Sequence, residues 1–120
     1  MDIIIRIVPK EEQRYETAGD WQFHPTNGDL IIKVSKMSDW RYEMCVAIHE
    51  LTEALLCKQN GVTEQQVDNW DFSHPEAGSN FNETGAPYEK EHYSACIPEL
   101  ILGKELGINY DEYLKELEGE

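Results

Sequence analysis

Two runs of β-branched and aliphatic residues stand near the start of the chain, each of strand length. "DIIIRIV" at 2–8 is stopped by Pro9, and "DLIIKVS" at 29–35 follows the turn signal "TNGD". The two runs are expected to pair. Between them "RYETAGDWQFHPTNG" mixes aromatics with Gly and Pro and leaves room for a third short strand around Trp21 to Phe23.

From Ser38 the apolar spacing changes to that of a helix. "SDWRYEMCVAIHELTEALLCKQNG" reads as one long helix, with Ser38 or Asp39 able to cap its start and Gly61 able to end it. Thr63, followed by Glu64 and Gln66, resembles a capping box that opens a short helix reaching about Asp71. Residues 72–87, "FSHPEAGSNFNETGAP", read as a long loop expected to border a functional cleft. Pro87 suits the first turn of a further helix, "YEKEHYSACIPELILGKELG", which Pro98 is expected to kink or split. "DEYLKELEGE" reads as a solvated, acidic terminal helix. The expected fold is α+β, one domain over residues 1–120, with two or three N-terminal strands packed on the long helix and further helices after it.

On a helical wheel of about 100° per residue, Met44, Ala47, Ile48, Leu51 and Leu55 share one face and form an ordinary core stripe. His49, Glu50 and Glu53 lie roughly opposite, yet Cys45, Val46 and Leu56 sit among them, so the second face is expected to be covered as well. Burying an unpaired carboxylate costs several kcal/mol, so a covered His with two Glu should be paired, protonated or bound to a cation. His49 and Glu53, four residues apart, emerge one turn apart on one face and can converge on a single ion. Glu50 points elsewhere, to the place where a general base could hold a water.

Composition narrows the function. Ten basic residues against twenty-four acidic ones leave a net charge of -14, so nucleic-acid backbones and anionic membranes are not expected partners. With 120 residues, 40% of them hydrophobic, the chain can bury a core of its own. The three cysteines form no CxxC pair and sit in apolar helical surroundings, as reduced core thiols do. "MDIIIRIVPK", broken by Asp2 and Arg6, has too short an apolar run for a signal peptide, and a cytoplasmic location is expected.

"HELTE" at 49–53 resembles the HExxH signature of zincin metallopeptidases, in which two His bind zinc, the Glu activates a water and another ligand comes from a later helix. As in zincins a strand precedes the motif, here "DLIIKVS", expected to run along the substrate cleft. The resemblance makes His49 the first ligand and Glu50 the base, and puts Glu53 where zincins have the second His. The later helix offers His92 as the third ligand, with Glu91 and Glu99 of the same stretch, and Asp71 of the short helix, as its substitutes. Zinc is the expected ion; Glu in place of His also admits the harder manganese or iron. HExxE followed by an EH pair is similar, too, to a set of small phage-type proteins, a likeness that implies no activity.

The resemblance implies metal-dependent hydrolysis of a peptide or amide. Two rivals stand beside it. Glu50 and Glu53 with Asp68 and Asp71 resemble the magnesium-binding carboxylate pairs of all-α nucleoside triphosphate pyrophosphohydrolases. The other is a non-enzymatic acidic interaction protein with a structural metal or a buried His–Glu network.

Overall fold

Three strands form where β-branched and aromatic residues concentrate. In the computed structural model, which describes residues 1–74 and 85–119, β1 spans Ile3–Val8, β2 Gly19–Phe23 and β3 Leu30–Ser35. The sheet order is β1-β3-β2, with β1 parallel and β2 antiparallel to β3. The two aliphatic runs therefore do pair, and the short aromatic segment is a true strand. Leu30, Ile32 and Val34 of β3 are completely buried, as befits the central strand, and each such side chain stabilises the fold by about 1.5–3 kcal/mol. Gly28, with φ 76°, supplies the left-handed residue of the β2–β3 turn.

The long helix α1, Trp40–Asn60, starts where the Asp39 carboxylate accepts the Arg41 N–H and ends at Gly61, whose φ of 75° is the usual left-handed stop. The short helix α2, Glu64–Ser73, carries the full Thr63–Gln66 capping box. α3 spans Glu89–Leu106 and α4 spans Tyr110–Glu118, the latter capped by Asn109. Pro98 does not split α3, which continues through it, and Pro87 lies before the Tyr88 cap rather than in the first turn. Among the described residues, no helix is long and apolar enough to cross a membrane. Most of the 72–87 loop, residues 75–84, lies outside the described residues, and so does the expectation that it borders the cleft.

α1 packs on β2 and β3 and also on α3. The α1–α3 pair is antiparallel: Arg41 Nη1 donates to the Leu106 carbonyl at 3.2 Å near one end, and Asn60 Nδ2 to Glu91 Oε2 at 2.7 Å near the other. At Gly103 an added Cβ would come within 3.0 Å of Ile108 Cδ1 and 3.5 Å of Cys45 Sγ, so a small residue lets the helices close.

Two expectations need correcting. The side of α1 with Cys45, Val46, His49, Glu53, Ala54 and Cys57 is deeply buried, as expected of the second face, while Leu55 of the expected core stripe is 39% exposed. Phe72, 51% exposed, lies edge-on against Tyr15. α4 is not a solvated tail, because it buries Tyr113 and Leu117 in the core.

Candidate metal centre

His49 and Glu53 leave α1 one turn apart, and α3 brings His92 to meet them. His49 Nε2 lies 3.1 Å from Glu53 Oε2 and 3.2 Å from His92 Nδ1, and His92 Nδ1 lies 3.1 Å from Glu53 Oε2. Three donor atoms therefore form a nearly equilateral triangle. Tetrahedral zinc, with bonds of about 2.0–2.1 Å, spaces its ligand atoms by about 3.3–3.4 Å. The triangle matches one face of that tetrahedron to within a few tenths of an ångström. Hydrogen bonds account for it less well, since one oxygen and two ring nitrogens in mutual contact cannot place a proton on every edge.

Neighbouring groups aim these donor atoms. Glu99 Oε1 stands 2.7 Å from His49 Nδ1, which turns Nε2 toward Glu53 and His92. Tyr113 of α4 donates its hydroxyl to the other Glu99 oxygen. Trp21 Nε1 donates to Glu53 Oε1 at 3.2 Å, leaving Oε2 to face the two histidines. His49 and Glu53 are 7% and 5% exposed, so their contacts are little screened by water. Burial works to raise the Glu53 carboxyl, but its bonds with His49 and His92 outweigh that and hold it well below the usual carboxylate range. Burial likewise works to lower His49, and its contacts with Cys96, Glu53 and Glu99 overcome this and hold it well above the ordinary imidazole value.

Glu50 faces β2. A Cβ at Gly19 would sit 2.7 Å from Glu50 Cγ and 2.7 Å from Val46 Cγ1, so glycine is what lets the strand cross the helix at this point. Glu50 lines a cleft together with Glu53, His92, Tyr15, Asp71 and Tyr88. Burial pushes its carboxyl well up, and the charge of Glu53 adds to the effect. It is not among the groups whose donor atoms converge with His49 and Glu53.

The three groups named as substitutes for His92 have other partners. Glu91 accepts from Asn60, Glu99 is on the far nitrogen of His49, and Asp71 accepts the hydroxyls of Tyr15, at 2.8 Å, and Tyr88. Asp68 and Asp20 are both bridged by Arg14. The strand that borders the cleft is β2, not the expected 29–35 segment, because β3 is the middle of the sheet. Two outward peptide groups of that strand are occupied: the Thr17 hydroxyl bonds the Gly19 carbonyl at 2.8 Å, and the Phe23 N–H donates to Glu64 at 3.2 Å.

Several contributing residues have no motif to announce them. Trp21 belongs to the segment expected as a third strand, Tyr15 to the stretch before it, and Tyr113 to the terminal helix expected to be solvated. His74 stacks on Trp70 with ring centroids 3.6 Å apart and lines the same cleft. The spacing of Tyr110, Tyr113, Leu114 and Leu117 on one helical face was the available sign that α4 packs inward. Cys45 and Cys57 are buried free thiols as expected, while Cys96 is half-buried beside His49. No protein-family model matches the chain, and neither a curated protein nor a solved structure matches it.

Proposed function

We propose that the chain is a zincin-like, metal-dependent hydrolase acting on a peptide or other amide, with His49, Glu53 and His92 holding one ion and Glu50 serving as general base. The observation that carries this reading is the His49–Glu53–His92 triangle at 3.1–3.2 Å next to a cleft lined by Glu50. Zinc is the ion proposed, and manganese or iron also accept two imidazoles and a carboxylate. When bound, the ion would supply Lewis acidity toward a carbonyl oxygen and an attacking water.

The remaining work falls to the chain. Glu50 takes a proton from the attacking water and returns it to the leaving nitrogen, which requires a carboxylate beside the ion rather than on it. Glu99 and Trp21 keep His49 and Glu53 from rotating, so the donor atoms stay converged without a reorganisation cost. Glu16, Asp20, Glu50 and Asp71 line the cleft, and this charge favours a neutral or cationic substrate over a phosphate ester. The capped peptide groups of β2 favour side-chain contacts over an added strand. The free cysteines suit a reducing compartment, in keeping with the cytosol.

The pyrophosphohydrolase reading calls for an all-α fold and a clustered set of four carboxylates. The mixed sheet and the Arg14 bridge to Asp68 count against it. The interaction-protein reading keeps one specific support, the closed bonding of His49 to Glu99, which a structural site would share. Activity separates the two. Zinc-loaded, tag-free protein incubated with a mixed peptide library should generate new termini, seen by mass spectrometry, that vanish with chelator and return with zinc. Metal-loaded protein that cleaves nothing in the library would overturn the peptidase reading in favour of a structural metal.

A further inference from the structure

Tyr113 is completely buried although it belongs to the last helix of the chain. Its ring packs on Tyr42 and Tyr110, with centroids 5.3 and 5.7 Å away, and its hydroxyl donates to Glu99. Burial, and after it the charge of Glu99, pushes the phenol well above its ordinary value, so it stays a donor. Glu99 is itself 7% exposed and uses both oxygens, one on Tyr113 and the other on His49 Nδ1 at 2.7 Å. A carboxylate held at only one oxygen could swing about its last torsion; one held at both is fixed in plane.

We propose that Tyr113 is a positioning residue of the metal site: through Glu99 it fixes the ring of His49, which makes α4 part of the apparatus that holds the ion. This rests on His49, Glu53 and His92 being ligands. α4 is anchored independently of that chain of contacts, with Ser38 N–H donating to Glu116 Oε2 at 2.8 Å, Lys10 Nζ to the Gly119 carbonyl at 3.2 Å, and Leu117 buried. The helix therefore has enough other contacts to stay docked when a single hydroxyl is removed.

The test is Tyr113→Phe in the full chain, which keeps the ring and deletes only the donor, with Tyr42→Phe as the aromatic control. Zinc affinity is read by competition with a chromophoric chelator, the cobalt(II) visible spectrum reports ligand geometry, and melting in excess chelator reports the fold. Tyr113→Phe should weaken zinc roughly 10–100-fold and alter the cobalt spectrum, while Tyr42→Phe leaves both unchanged. Added to Glu99→Gln, the Tyr113→Phe change should cost nothing more, since Tyr113 acts through Glu99. A melting shift with unaltered affinity and spectrum, or losses that simply add in the double variant, would overturn the role. If the unaltered chain itself binds no zinc, the failure belongs to the ligand assignment.

Discussion

Replacing His49 by alanine should abolish stoichiometric metal binding and destabilise the chain even in the absence of any ion. The imidazole sits between two buried carboxylates, Glu53 at 3.1 Å and Glu99 at 2.7 Å, and also contacts His92. Removing it takes away the ring that bonds both carboxylates, and leaves Glu53 with Trp21 and His92 and Glu99 with Tyr113. Breaking a buried pair from one side costs about 3–5 kcal/mol, because the remaining charge stays desolvated. Urea unfolding in excess chelator, comparing His49→Ala with the unaltered chain, isolates this cost from metal linkage. With zinc present the gap should widen further, as only the unaltered chain gains binding energy in its folded state. A His49→Ala protein as stable as its parent in chelator would mean that the buried cluster is not held together through this ring.

The second large effect separates two glutamates on one helix. Glu53→Gln leaves only a neutral amide oxygen to face the ion and also replaces a carboxylate that both histidines bond, so metal binding should weaken severely. Glu50→Gln keeps the shape of a side chain outside the triangle and removes only its basicity. Metal should stay, while turnover on any substrate found falls by about 10²–10⁴-fold, the usual loss when a general base is deleted. Metal titration and initial rates on the two variants check both halves. The opposite pattern, in which Glu50→Gln loses the ion and Glu53→Gln retains it, would make Glu50 a ligand and end the assignment.

The elements of the fold were largely legible because each carries a local cause: Pro9 after β1, Asp39 and Gly61 around α1, and the Thr63–Gln66 box before α2. Sheet order was not, because it depends on which strand the chain returns to, and β3 takes the centre although it comes last. The wheel of α1 was right that the side of His49 and Glu53 is covered, and it misled over Leu55 for a physical reason. Glu43, His49 and Glu53 are all buried and bonded, Glu43 by the Met37 N–H at 2.8 Å. A helix that buries a polar site spends its best-covered side on polar residues and pushes aliphatics such as Leu55 outward.

The same distinction applies to the site. His49, Glu50 and Glu53 are legible because helical spacing alone puts them near one another, and His92 because an imidazole on the later helix has few competitors. Trp21, Glu99 and Tyr113 reach the centre from 32 residues before Glu53, 50 after His49 and 14 beyond Glu99. Nothing local gives the contacts they make there. They are found by asking which donors the buried carboxylates need, a question that only the tertiary contacts answer.

The central claim is that this triangle is an ion site, and metal content tests it most directly. Protein produced without a histidine tag, passed through dilute chelator, reloaded with equimolar zinc, manganese and iron(II) under anaerobic conditions and desalted, should carry about one transition-metal ion per chain by elemental analysis, predominantly zinc. The His49→Ala protein treated in parallel should carry none. A chain that retains no stoichiometric metal while remaining folded would contradict the account and leave the cluster as a buried His–Glu hydrogen-bond network.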